Sequence, residues 1–161
     1  SEMMTVSLIC IGKLKEKYWR DACAEYEKRL SAFCRFQIVE LPESRLPDTP
    51  SEAQKGAALE EEGKRILAAA GNAHLIALCI EGKEQSSERL ASTVQELSIR
   101  GVSSLAFCIG SSFGLSPRVK QAAQLRLSFS PMTFPHQLAR VMLCEQIYRV
   151  FQINTNGKYH K

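Results

Sequence analysis

Three places in the chain combine residue types and spacings that could do chemistry. Gly110-Ser111-Ser112-Phe113-Gly114 follows the apolar run SLAFCI and precedes a helix-start signal. Two glycines at a strand exit let a ligand approach the backbone closely. The spacing is neither the Gly-Lys-Ser/Thr ending of a P-loop nor the G-x-G-x-x-G of a dinucleotide turn. The letters alone therefore suit a plain strand-to-helix turn, and the position is what marks the stretch. Ser130-Pro131-Met132-Thr133-Phe134 is the second place. A simple connector uses Gly, Asn or Asp, whereas this one is stiffened and carries large apolar side chains, so it is either plugged into the core or shaped around a ligand. His136 follows in the first turn of a helix that starts at Pro135, where it either bonds nearby backbone or faces that ligand. The third place is the tail pair Tyr159 and His160. Asn156-Gly157 is a turn signal that would fold the pair back toward the domain; without it they are a frayed end.

Other chemistries find little footing. No Ser-His-Asp set or glycosidase-like carboxylate pair can be assembled, which disfavours a hydrolase. Cys10, Cys23, Cys34, Cys79, Cys108 and Cys144 sit among Ile, Leu, Phe and Ala, with no C-x-x-C pair and no His at ligand spacing. They are expected to be buried, reduced thiols behaving as small hydrophobes, and no metal site is expected.

The elements that must position these residues follow from periodicity. Residues 5–11 (TVSLICI), 36–41 (FQIVEL), 73–80 (AHLIALCI), 104–110 (SLAFCIG) and 125–129 (LRLSF) are continuously apolar or β-branched and indicate strands. Helices are expected over 14–33, from the Ser51 start signal to Gly71, from Ser86 or Ser87 to Gly101, over 115–124, and from Pro135 to about Ile153. In the first helix Tyr18, Ala22, Tyr26 and Leu30 share one stripe, and Tyr18 and Trp19 are expected to be core aromatics. Strands alternating with helices, and apolar throughout, indicate a mainly parallel sheet covered on both faces, an α/β fold in one domain spanning 1–161. In such sheets ligands sit beyond the carboxyl ends of the strands. Three exits are therefore candidates: Leu78–Gly82, Gly110–Gly114 and Phe129–Phe134.

The last helix carries Leu138, Val141, Met142, Leu143, Cys144, Ile147, Tyr148 and Phe151 around nearly its whole circumference. Glu145 and Arg149 share one narrow polar strip at i,i+4, and His136 and Arg140 share another. A helix apolar on most sides must be buried on most sides. One face can pack on the sheet; the other needs a partner, and a homodimer is the economical one.

At 161 residues, with 45% hydrophobic and 24% charged residues, the chain has the composition of an ordinary globular domain. No apolar run approaches the length of a membrane span and no secretory signal pattern opens the chain, so the cytoplasm is the expected compartment. Residues 1–3 are expected to be a trimming scar ahead of a natural start at Met3 or Met4. Residues 1–100 hold 14 Lys/Arg against 16 Asp/Glu, while residues 101–161 hold seven (Arg118, Lys120, Arg126, Arg140, Arg149, Lys158, Lys161) against Glu145 alone. This asymmetry suits either a polyanionic partner or solubility alone.

Taken together, GKLKEKYW…EYEKRL, EEEGKRIL, IGSSFGLS, LSFSPMTFPHQLARVMLCEQIYRVFQI and the terminal YHK resemble one family. It is the small bacterial SPOUT methyltransferases that modify N3 of a pseudouridine in 23S ribosomal RNA of assembled ribosomes. The resemblance covers essentially the whole chain. One departure is Gly110-Ser111, where the family usually has Gly-Gly. The resemblance implies a trefoil knot formed by the C-terminal part of the chain, against the general rule that chains are unknotted. It implies S-adenosyl-L-methionine as cofactor, held by Leu78, Gly110 and the run Phe129, Ser130, Pro131, Met132, Thr133 and Phe134. It further implies that Arg149, Tyr159 and His160 orient or activate the base, with His136 and Arg140 as second choices and Glu145 holding Arg149. Arg118, Lys120, Arg126, Lys158 and Lys161 are expected phosphate contacts. Two other readings stand beside this one: a SPOUT enzyme acting on another RNA such as tRNA, and a non-enzymatic RNA- or nucleotide-binding α/β module.

Overall fold

The computed structural model describes residues 3–156. Five strands, β1 (Thr5–Ile11), β2 (Arg35–Leu41), β3 (His74–Glu84), β4 (Ser104–Ile109) and β5 (Leu125–Ser128), alternate with five helices. The helices are α1 (Lys17–Leu30), α2 (Glu52–Ala70), α3 (Ser87–Ile99), α4 (Pro117–Ala122) and α5 (His136–Asn156). The strands form one sheet in the order β2-β1-β4-β3-β5, and every pairing is parallel. The expected α/β sheet with helices on both faces is what the chain adopts.

The continuous apolar runs make sense because alternate residues feed two cores. On one face Val6, Leu8, Cys10, Leu105 and Phe107 meet Cys23 and Leu30 of α1, Leu90, Val94 and Leu97 of α3, and Leu143, Ile147 and Val150 of α5. On the other, Ile9, Ile11, Leu75, Ala77, Ala106 and Cys108 meet Ile66 of α2 and Leu115 and Val119 beside α4. Phe107 is 2% exposed at the centre of the larger core; truncating a side chain so placed typically costs about 3–5 kcal/mol.

The helix starts obey local chemistry. Ser51 and Gln54 form a reciprocal capping box at α2. The Ser86 and Ser116 hydroxyls accept from the N–H groups of Arg89 and Val119, and Pro117 takes the first helical position of α4.

Two expectations are corrected. Tyr18 is 64% exposed; the inward stripe of α1 runs through Trp19, Cys23, Tyr26 and Leu30, one position round from the expected stripe at its N-terminal end. Strand β3 does not stop near Ile80. Leu78 and Lys83 both pair with Leu127, so residues 79–82 bulge out of the ladder before pairing resumes. Gly82 permits this, since a Cβ there would come within 2.7 Å of the Leu127 backbone.

Helix α5 packs against both α1 and α3. It buries Ala139, Arg140, Leu143, Cys144, Ile147 and Val150, and no residue from 136 to 154 is fully exposed. The side through Ala139, Leu143, Ile147 and Val150, with Arg140 and Cys144 beside it, is thus buried, while the rest of the helix up to residue 154, Val141, Met142 and Tyr148 included, is half-buried.

Candidate functional site

The three strand exits converge. The β3 bulge, the Gly110–Gly114 turn and the loop after β5 enclose a cavity of about 740 Å³, closed at one side by the first turn of α5. Leu78, Gly110, Phe129, Ser130, Met132, Thr133 and Phe134 all line it. Pro131 is exposed and does not; it shapes the loop instead. Within that loop the Ser130 hydroxyl accepts from the Met132 N–H at 2.8 Å, and the Ser128 hydroxyl donates to the Ser130 carbonyl at 3.2 Å. Short serine side chains thus set the backbone path and leave Met132, 72% exposed, at the mouth.

The Gly110 turn folds back on itself. The Gly114 N–H donates to the Ser111 carbonyl at 2.8 Å, and a Cβ on Gly110 would lie 2.1 Å from the Gly114 oxygen. Only bare backbone fits there. The neighbouring Ser111 hydroxyl is buried and has no hydrogen-bond partner among the described residues. Such a group is costly to leave unpaired and suits a ligand's polar atom.

Several lining residues are not singled out as cofactor contacts by the sequence. Cys79 and Glu81 reach the cavity only because β3 bulges, and Lys120 arrives from α4 to pair with Glu81 at 2.5 Å. The Lys120 ammonium holds the Glu81 carboxyl below its ordinary range. Burial pushes the Cys79 thiol up.

A second cavity, about 550 Å³, opens between α1, α3 and α5. Ser128, Phe129 and Phe134 wall both cavities, so this loop is a wall they share. Its polar side is Tyr26, Gln85, Ser87, Glu145 and Gln146. The Tyr26 hydroxyl donates to one Glu145 oxygen, and Arg149 Nε donates to the other at 2.8 Å. Glu145 therefore does hold Arg149.

Among the described residues, the expected catalytic residues His136, Arg140 and Arg149 are not gathered at one point. His136 lines the first cavity. Arg140 is 4% exposed, donating to Glu40 at 2.6 Å and to the Gly12 carbonyl at 3.1 Å, beneath the ends of β1 and β2. Arg149 lies 13 residues beyond His136, about 20 Å along the helix at 1.5 Å per residue. Tyr159 and His160 lie outside the described residues, as do Lys158 and Lys161.

The charge asymmetry is largely folded away. Arg118 pairs with Glu60, Lys120 with Glu81, Arg140 with Glu40 and Arg149 with Glu145. Arg126 donates to the Lys120 carbonyl. Three of these cations, Arg118, Lys120 and Arg140, are thus met by carboxylates from the rest of the chain. Among the described residues no group of three His, Cys, Asp or Glu could hold a metal ion, and no helix is long and apolar enough to cross a membrane.

Residues 4–160 match the family model described as "Predicted SPOUT methyltransferase". A Streptococcus thermophilus protein named ribosomal RNA large subunit methyltransferase H is 50% identical over 159 residues, 98% of this chain and 100% of that protein. Proteins of the same name from Exiguobacterium sibiricum and Clostridium novyi are 48% and 49% identical with the same coverage. Among solved structures, a probable methyltransferase from Bordetella pertussis superposes with a TM-score of 0.57 at 15% identity, over 92% of this chain and 96% of that one. A probable methylase family protein from Haemophilus influenzae gives 0.55 at 15% identity, over 99% and 71%. These two likenesses concern the fold.

Proposed function

The chain belongs to the SPOUT methyltransferase family, and from that premise we propose that it transfers a methyl group from S-adenosyl-L-methionine to N3 of a pseudouridine in the 23S rRNA of assembled ribosomes. The full-length match to proteins named ribosomal RNA large subunit methyltransferase H carries the reading. The cavity at the exits of β3, β4 and β5 gives it a place.

The residues present fit the cofactor. A cavity of this size is within the range of small-molecule sites. Gly110 lets the turn at the cavity wall close on the Gly114 carbonyl, where no Cβ would fit, and the Ser111 hydroxyl supplies a buried polar atom without a partner among the described residues. Leu78, Met132 and Phe134 offer apolar contact to a nucleoside, while the backbone of residues 129–134 offers donors and acceptors to its edges. When bound, the sulfonium cofactor supplies an already activated methyl group.

The protein's share is then to hold two reactants in line and to manage one proton. The N3–H of pseudouridine is weakly acidic, so a cation beside the base favours the nucleophilic anion. Arg149, Tyr159 and His160 are assigned to orient or activate the base, with His136 nearer the cofactor. Arg140 serves from beneath, anchoring α5 to the ends of β1 and β2.

A second copy of the chain is part of this reading. Along one α5, His136 and Arg149 are too far apart to meet on one base, and a homodimer packed through α5 would bring together residues from two chains. It would also cover the half-buried Val141, Met142 and Tyr148. The C-terminal passage after β5 is read as the trefoil knot of the family, enclosing the cofactor loop. The cytoplasm, where ribosomes are, is the proposed compartment.

Transfer of labelled methyl to ribosomes from cells lacking the modification tests this, with naked ribosomal RNA and tRNA in parallel. Label at one pseudouridine of assembled ribosomes is expected. Label on tRNA instead would replace the substrate, and SAM-independent ribosome binding without transfer would favour a non-enzymatic module.

A further inference from the structure

We propose that Tyr26 is a positioning residue for methyl transfer, its hydroxyl holding the Glu145 carboxylate so that Glu145 in turn fixes the Arg149 guanidinium at the site. The inference rests on the assignment of Arg149 to the reaction made above. No sequence pattern links these groups, because Tyr26 lies on α1, 119 residues before Glu145.

An i,i+4 pair on a helix surface is loose by itself. Both side chains are long, the attraction is screened by water, and such pairs contribute little. Glu145 and Arg149 retain 28% and 32% of their side-chain exposure, so the pair alone would not hold a guanidinium steady. Tyr26 changes this. Its O–H occupies one carboxylate oxygen while Arg149 Nε–H occupies the other at 2.8 Å. Two donors on different helices thereby fix the plane of the carboxylate.

Tyr26 is itself well braced. Its ring lies 6.1 Å from that of Tyr148, and the Arg29 guanidinium stands 5.5 Å from one ring centroid and 5.6 Å from the other. Burial first, and the bond to Glu145 second, push the phenol up to about 12. The hydroxyl therefore remains a donor at any pH near neutrality.

Adhesion between helices does not need this polar link. The seam of α1 with α5 is already filled by Cys23, Leu30, Leu143, Cys144 and Ile147. Location favours a role in the reaction instead. Tyr26 and Glu145 wall the 550 Å³ cavity, which shares Ser128, Phe129 and Phe134 with the proposed cofactor cavity. A base held in the smaller cavity would lie against this wall and next to that shared loop.

The test is single-turnover methyl transfer to ribosomes by the wild type, Tyr26→Phe, Arg149→Ala and the double variant, alongside SAM affinity by calorimetry and the urea midpoint. Tyr26→Phe removes one oxygen and is expected to slow transfer roughly tenfold with SAM affinity and midpoint unchanged. Arg149→Ala is expected to slow it about a hundredfold, within the range for positioned proton-transfer groups. The double variant should be no slower than Arg149→Ala, because groups that act as a unit are not additive. Glu145→Gln, which keeps the side-chain shape, repeats the test should Tyr26→Phe alter the midpoint. A wild-type rate for Tyr26→Phe beside a slow Arg149→Ala overturns the positioning role and leaves the proposed function intact. So does a double variant slowed by the product of the single effects. A wild-type rate for Arg149→Ala removes the catalytic assignment of Arg149, and the role of Tyr26 falls with it.

Discussion

Arg140 and Arg149 lie nine residues apart on one helix, each paired to a glutamate, and they differ in almost everything else. Arg140 is 4% exposed and reaches across the fold to Glu40 on β2 and to the carbonyl of Gly12 after β1. Arg149 keeps about a third of its side-chain exposure, pairs within its own helix, and borders a cavity through Glu145. The same side chain thus does two jobs. Where the partners are a distant backbone carbonyl and a carboxylate on another strand, the ion pair ties elements together. Where the partner is local and partly exposed, the pair lies beside a cavity, and a donor from a second helix, Tyr26, shares the carboxylate.

The sharpest way to break this comparison is to remove the inner cation. Arg140→Met keeps much of the stem but leaves Glu40 and the Gly12 carbonyl without their donor. Breaking a fully buried pair costs about 3–5 kcal/mol. Glu40 keeps 34% of its side-chain exposure, so a loss of about 2–4 kcal/mol in urea unfolding is expected. An unchanged midpoint would show that Arg140 does not anchor α5.

The outer cation should behave oppositely. Arg149→Ala is expected to alter stability by no more than about 0.5 kcal/mol, as for other half-exposed pairs, while its methyl transfer falls. Equal destabilisation by the two variants would erase the distinction.

Two thiols extend the contrast. Cys10 lies in the core near Arg140, and burial pushes it up to about 12 despite that cation. Cys79 is the one cysteine of the six that is not fully buried, and it lines the 740 Å³ cavity proposed for the cofactor. Maleimide labelling of the native protein should therefore start at Cys79. Since burial raises this thiol above its ordinary value of 9.0, thiolate is scarce at neutrality, and the rate should go on climbing as pH passes 9. SAM at ten times its dissociation constant should slow the labelling about tenfold. Labelling that is indifferent to SAM would move the cofactor elsewhere. At the bottom of the scale, Asp21→Asn breaks the exposed Lys17–Asp21 pair and should change stability by less than about 0.5 kcal/mol.

What could be read from the chain follows the range of the interactions. Strand β1 has the expected bounds, and the caps at Ser51, Ser86 and Ser116 lie where local hydrogen bonding puts them. The three strand exits were legible because parallel sheets place ligands there. The β3 bulge was not, since Glu81-Gly82-Lys83 has the composition of a strand end, while the resumption of pairing depends on β5, more than 40 residues later. Lys120 reads only as a phosphate contact for the same reason, its place in the cavity lying beside Glu81 of the bulge. Arg140 stood among the catalytic candidates because no helical wheel shows Glu40 beneath it. Tyr26 reads only as a member of the apolar stripe of α1, because its hydroxyl's partner is 119 residues away.

Hydrogen–deuterium exchange with and without S-adenosyl-L-methionine tests the cofactor assignment most directly, because it maps the bound site without altering a residue. Slower exchange is expected over 78–82, 110–115 and 128–137, with the α2 face of the sheet unchanged. Protection confined to other segments, or none at saturating SAM, would contradict the assignment of the cavity at the three strand exits.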